Sequence, residues 1–136
     1  PAWRARRAAA DPPPNVRLLG IVEPVDWVSA LHAVQWGLNP MELGSGTNIK
    51  MLDYMAAGLA IVTTPVGARG LRGRTGEHWA AAPRERFAAV LRELIEHPET
   101  ASELGRNARA LAERDYDWRV IAARVADALR PPLGRK

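Results

Sequence analysis

Short apolar runs of strand length alternate along the chain with longer stretches whose apolar residues recur at helical spacing. The segment "VRLLGIV" (16–22) reads as a buried strand. "PVDWVSALHAV" (24–34) places Val25, Val28, Leu31 and His32 near helical spacing and predicts a short helix. "VQWGL" (34–38) is a second strand, stopped by Asn39 and Pro40. A helix is expected from about Thr47 to Ala57, with Ile49, Leu52 and Ala56 on one face, Met55 close by, and Gly58 as the glycine after its end. "AIVTT" (60–64) is a third strand and "EHWAAA" (77–82) a fourth.

Three helices close the pattern. Phe87, Val90, Leu91, Leu94 and Ile95 form one stripe, started by Pro83. Ala101, Leu104, Ala108 and Leu111 form the next, after "HPET". The last runs from Trp118, capped by Asp117, through Ile121, Ala122, Val125 and Leu129. Ahead of all this, "WRARRAAA" reads as the end of a helix closed by "DPPPN", since three prolines cannot continue one. The expected division is therefore a helix end and proline-rich loop over 1–14, one domain over 15–130 and a tail over 131–136. Strands alternating with helices predict an α/β fold, a Rossmann-like parallel sheet with helices on both faces and extra helices at the C-terminus. In such sheets ligands sit beyond the carboxyl ends of the strands.

Composition narrows the function classes. The chain has 136 residues, 47% of them apolar, enough for one domain with a core. It has no cysteine, which excludes disulfides and thiolate chemistry, and His32, His78 and His97 are too scattered to suggest a metal site. No apolar run reaches the roughly 20 residues that span a bilayer. The first residues lack both an apolar signal core and an initiator methionine, which suggests a piece of something longer. The net charge of +4 comes mainly from arginines interspersed with Asp and Glu, as in "PRERFAAVLRELIE"; no aromatic-rich basic stripe accompanies them, so nucleic acid is not the expected partner.

The candidate chemistry lies in "MELGSGTNIKMLDYMAAGLAIVTTP" (41–65). Gly44, Ser45 and Gly46 follow a predicted strand and open a helix. Helix N-termini present free N–H groups and partial positive charge, and glycines remove the Cβ atoms that would hold a phosphate away. Ser45 and Thr47 add hydroxyls, Lys50 adds a full charge, and Asp53, three residues on, shares its face. A carboxylate there is suited to ribose hydroxyls while lysine and amides hold a diphosphate. The spacing is neither that of a Walker loop nor G-x-G-x-x-G, because Ile49 stands where the third glycine would be. The plainer alternative is a tight connection with a solvated Lys–Asp pair.

Taken in order, "NVRLLGIVEPVDWVSALHAV", "NPMELGSGTNIKMLDYMAAGLAIVTTPVGARGL" and the helical remainder, with its aromatic-x-Trp before the last helix, resemble the carboxyl-terminal donor-binding domain of GT-B-fold retaining glycosyltransferases, over nearly all of residues 15 to 129. The resemblance is to part of that domain, a truncated half of the GT-B fold. It implies a nucleotide-sugar donor of UDP or GDP type, with no cofactor and no metal, for transfer to a polysaccharide, lipid or other acceptor. By the same resemblance Gly44, Ser45, Gly46, Thr47 and Asn48 approach the diphosphate or sugar, Asp53 takes the place of the glutamate that binds ribose, and Gly20 lies near the base. Lys50 is the expected phosphate neighbour on physical grounds. The family often carries two glutamates; Ser45 stands at the first position, and Glu42 is three residues too early to replace it.

The resemblance also implies two strand–helix units, bringing an Arg/Lys pair, and an N-terminal acceptor domain, none of which is in this sequence. The two strands would lie between 16–22 and 34–38, leaving a gap in the sheet. The expected activity is hexosyl transfer as part of a longer protein, inactive in isolation, located in the cytoplasm and at the inner membrane surface through the full-length protein. The alternatives are a non-catalytic Rossmann-like module binding a nucleotide or a protein, and a remnant held together by self-association.

Overall fold

The computed structural model describes residues 12–130. The helix end expected in "WRARRAAA" and the 131–136 tail lie outside them. The elements run α1 (Pro24–His32), β1 (Trp36–Asn39), α2 (Ile49–Ala56), β2 (Ala60–Thr63), β3 (Ala80–Ala81), α3 (Arg84–Glu96), α4 (Pro98–Asp115) and α5 (Trp118–Leu129). The strands form a parallel sheet in the order β1-β2-β3, with Asn39 opposite Thr63 and Thr63 opposite Ala81.

All four residues of β2, Ala-Ile-Val-Thr, are buried. A strand turns successive side chains to opposite faces, and β2 does so between two cores. Ile61 packs with Met51 and Met55 of α2, Leu31 of α1 and Ala108 and Leu111 of α4. Val62 packs with Leu94 and Leu104, flanked by Phe87 and Val90. Helices therefore cover both faces, as the alternation of elements implies.

Gly58 ends α2 as expected. Its φ is 70°, its N–H donates to Met55 O at 3.0 Å, and Leu59 N–H donates to Tyr54 O at 3.0 Å. This pair of bonds is a Schellman closure, which glycine adopts without a Cβ penalty. Leu59 then drops into the core and the chain enters β2 directly.

Four expectations are corrected. Residues 16–22 form no strand: Leu18, Leu19 and Ile21 are 53%, 62% and 88% exposed. An apolar run becomes a strand only where a neighbour pairs with its backbone, and among the described residues β1, as the sheet edge, pairs with β2 alone. In α1 the inward residues are Trp27 and Leu31, four apart, while Val25 and Val28 face outward. In α2 the buried pair is Met51 and Met55; Ile49 is 72% exposed and Ala56 is exposed. The expected fourth strand shrinks to Ala80–Ala81, preceded by an isolated bridge between Thr75 and Trp79.

The Asp117 cap forms as read from the sequence. Its carboxylate accepts from the backbone N–H of Arg119 at 2.8 Å and from the Arg119 guanidinium at 3.1 and 3.2 Å. The guanidinium first, and the backbone N–H second, hold the carboxyl below its usual range. A depressed carboxyl contributes stability that is present above its unfolded pKa and lost as pH falls through its folded one. Acidification through that window is expected to loosen α5 in the native protein, and Asp117→Ala is expected to loosen it already at neutral pH. Amide exchange along Trp118–Leu129 checks both; protection unchanged by acid or by the substitution contradicts the cap. No residue of α5 is fully buried, and Trp118 is 81% exposed, so this helix leans heavily on its cap.

Candidate functional site

The loops that follow the three strands gather at the carboxyl edge of the sheet. The first, residues 40–48, carries Gly44, Ser45, Gly46 and Thr47, all exposed. The second, from Thr64 onward, lies against it: a Cβ on Gly70, whose φ is 81°, would stand 2.5 Å from Thr47 Oγ1. The third is Ala82 and Pro83, leading into Arg84.

A buried set of polar side chains braces the first loop on the second. Asn39, the last residue of β1, has no exposed surface. Its amide nitrogen donates to Thr63 Oγ1 and to Gly67 O, both at 3.4 Å, and its Oδ1 accepts from Asn48 Nδ2 at 3.2 Å. Thr64 donates through its hydroxyl to Met41 O and accepts from Gly67 N–H at 3.1 Å. Among the described residues no buried side-chain nitrogen or oxygen lacks a partner, and a fully satisfied polar set of this kind fixes one conformation.

The brace has a consequence at the start of α2. Asn48 occupies the N-cap position but makes no side-chain cap, because its amide is turned down to Asn39. The first amides of a helix have no intrahelical partner, and here Ile49 and Lys50 follow an exposed loop. The first turn of α2 holds no acidic residue and does hold Lys50, which is exposed. A lysine at the positive end of the helix dipole is unfavourable unless an anion joins it. The helix begins two residues later than its periodicity suggests, which leaves Thr47 in the loop.

Asp53 lies half-buried, one turn further along. One of its oxygens accepts from Trp27 Nε1 at 3.2 Å. It borders a groove of about 670 Å³ between α2, α4 and α5, with Ile49, Leu52, Tyr116, Trp118 and Ile121 among the lining residues. Neighbouring Tyr54 has its phenol pushed up, by burial and then by the Asp53 charge. Among the described residues Lys50 and Asp53 form no ion pair with each other. Gly20 sits in the exposed segment ahead of α1 with φ 77°, and no hydrogen bond among the described residues ties it to the turn.

Two arginines outside the sequence-based set reach this loop. Arg69 donates from Nη2 to Gly44 O, and Arg84 pairs with Glu42 at 2.7 Å. Glu42 is thereby committed to a cation. The signal that points to Arg69 is its place between two glycines in "VGARG", just past the carboxyl end of a buried strand. The three histidines stay apart: His78 is buried and accepts from Arg74 N–H at 3.2 Å, His97 lies 2.7 Å from Glu93 O, and His32 ends α1. No helix among the described residues is long and apolar enough to cross a membrane.

Comparison with known proteins places this fold and its family. A solved structure, the C-terminal domain of a glycosyl transferase group 1 family protein from Francisella tularensis, superposes with a TM-score of 0.65 at 18% identity, over 74% of this chain and 53% of that one. The fold is thus that of part of a GT-B C-terminal domain. The chain is 26% identical over 113 residues to a glycogen synthase of Mycobacterium tuberculosis, covering 81% of this chain and 27% of that protein. It is 24% identical over 133 residues to a GDP-mannose-dependent monoacylated alpha-(1-6)-phosphatidylinositol monomannoside mannosyltransferase of Corynebacterium glutamicum, covering 92% of this chain and 35% of that protein. The chain thus spans about a third or less of the curated relatives it matches. The model of the family described as glycosyl transferases group 1 matches residues 1–97, and the chain belongs to that family.

Proposed function

We propose that this chain forms the donor-binding part of a retaining glycosyltransferase, taking a nucleoside diphosphate sugar of UDP or GDP type at the glycine turn. The observation that carries the reading is the start of α2. Its N-cap asparagine is turned away, its first turn holds Lys50 without an acid, and it opens from an exposed Gly-Ser-Gly loop. Family membership supports it, as does a relative named as GDP-mannose-dependent.

In this reading the backbone of residues 44–47 and the side chain of Lys50 surround the diphosphate. The Asn48 side chain acts beneath them as a brace. Asp53, with one oxygen anchored by Trp27, turns its remaining acceptor capacity to the ribose, and Gly20 lies toward the base. As the sugar–oxygen bond breaks, charge grows on the departing phosphate. Preorganised amides and cations stabilise that charge, typically by a few kcal/mol per donor. No metal enters this scheme. The acceptor and its base come from a domain beyond these residues, so the isolated chain binds the donor weakly and does not turn it over.

Titrating UDP-glucose and GDP-mannose into the wild-type chain and into Lys50→Ala tests this. Saturable binding of one donor is expected, weakened about tenfold by the loss of one charge-assisted contact. Lys50 is exposed, so its truncation leaves the fold in place. Absence of binding to either sugar favours a non-catalytic module instead, and measurable transfer by this chain alone contradicts the proposed division of labour.

A further inference from the structure

We propose that Arg69 is a phosphate-contacting residue, which exchanges the Gly44 carbonyl for a phosphate oxygen when the donor's diphosphate binds. The inference rests on the nucleotide-sugar reading and adds to it a residue from a different loop.

The backbone of Arg69 is fixed beside the turn. Thr64 N–H donates to Asn39 O at 3.3 Å, Ala68 N–H to Thr64 O at 3.1 Å, and Arg69 N–H to Val66 O at 3.3 Å. Gly70, with its positive φ, lets the chain lie directly on Thr47. The side chain itself is exposed and touches the turn through Nη2. Its guanidinium is therefore one hydrogen bond from the loop that opens α2, on the same carboxyl edge of the sheet as Lys50.

The present partner of Arg69 is a weak one for a guanidinium. A peptide carbonyl is neutral, and one such bond engages one of five N–H donors. By contrast, two other arginines are matched with acids, Arg84 with Glu42 and Arg109 with Glu113. Arg69 has no carboxylate partner among the described residues. Phosphate oxygens bring charge and accept the planar fork two bonds at a time, which makes such contacts about twice as strong as neutral ones. A diphosphate at the turn would thus outcompete Gly44 O for Arg69.

The test compares wild type, Arg69→Ala and Arg69→Lys for binding of UDP and GDP, and of uridine and guanosine, which lack phosphate. Thermal melting of each variant is recorded alongside. Arg69→Ala is expected to weaken the diphosphates about tenfold or more while leaving nucleoside affinity and the melting temperature in place; Arg69→Lys, with charge but no fork, is expected to fall between. If Arg69→Ala binds diphosphates as wild type does, the proposal fails while the donor-site reading stands. If it loses nucleosides and diphosphates in equal measure, Arg69 is a staple for the turn and not a phosphate ligand. If wild type binds neither UDP nor GDP, the donor-site reading has failed and this inference with it.

Discussion

Replacing Gly105 with alanine is expected to destabilise the protein, although the same change improves helix propensity. Gly105 is buried inside α4, where alanine is intrinsically favoured by about 1 kcal/mol. Its neighbour in space is backbone. A Cβ there would stand 3.2 Å from Gly58 C and 3.3 Å from Leu59 C, with Gly58 O closer still. Those atoms belong to the Schellman closure that delivers the chain from α2 into β2, so they cannot turn aside as a long side chain would. The helix must move instead, and α4 supplies Leu104 to one core and Ala108 and Leu111 to the other. Overpacking of this kind costs about 1–3 kcal/mol or more, which outweighs the propensity gain. Urea denaturation reads the effect as a lower midpoint. Ala110→Gly, at an exposed position of the same helix, calibrates the propensity contribution, which there runs in the destabilising direction by about 1 kcal/mol. A Gly105→Ala midpoint at or above that of wild type would mean that α4 does not approach the Gly58 turn as closely as described.

The same crossing shows what the sequence could and could not disclose. That Gly58 ends a helix follows from local chemistry, because a glycine after an apolar-periodic stretch marks a left-handed stop wherever the helix packs. That Gly105 must be a glycine follows from a neighbour 47 positions away and has no local signature. The apolar stripe of α4, and that of α3 apart from Ile95, which is 56% exposed, were legible for the first reason: each helix has one apolar face, and that face is the one turned to the core. In α2 the apolar residues wrap more than one face. Ile49, Leu52 and Ala56 compete with Met51 and Met55, and the choice falls to what lies opposite, namely Ile61 and Leu31 for the methionines. Residues 16–22 are the clearest case. Their composition reads as a strand, but a strand is a relation between two segments, and β1 offers them no pairing among the described residues.

In the candidate site the legible part is the part whose chemistry is local. Two glycines, two hydroxyls and a lysine at the start of a helix single out the proposed anion-binding loop by residue type alone. The support beneath it is not local. Asn39 reads in sequence as the residue that stops a strand before Pro40, and Thr63 and Thr64 read as the β-branched end of another. Only the parallel register, which sets Asn39 beside Thr63, turns three unremarkable polar residues into a brace. The contact of Arg69 with the turn has no local signature for the same reason, since its partner is a carbonyl 25 residues earlier.

Asn39→Ala is therefore expected to damage the fold and the site together. The side chain is fully buried; its removal takes the donor from the buried Gly67 carbonyl and Thr63 hydroxyl and leaves the part-buried Asn48 amide with Met41 Sδ alone. Buried groups orphaned in this way cost about 1–3 kcal/mol each, so a loss of about 2–4 kcal/mol is expected in urea denaturation. Asn39→Asp separates the two roles of the amide. It keeps an acceptor for Asn48 but loses the donor to Thr63 Oγ1 and Gly67 O, and it buries a negative charge below a loop proposed to receive a diphosphate. Stability is expected to fall for both variants, and UDP and GDP affinity to fall further for Asn39→Asp than for Asn39→Ala, because the carboxylate repels the ligand as well as loosening the turn. Amide exchange should quicken at residues 44–47 in both, since the loop loses its floor. If Asn39→Ala keeps the wild-type midpoint and the turn amides keep their protection, the brace is not what holds the loop open, and the exposed start of α2 needs another cause.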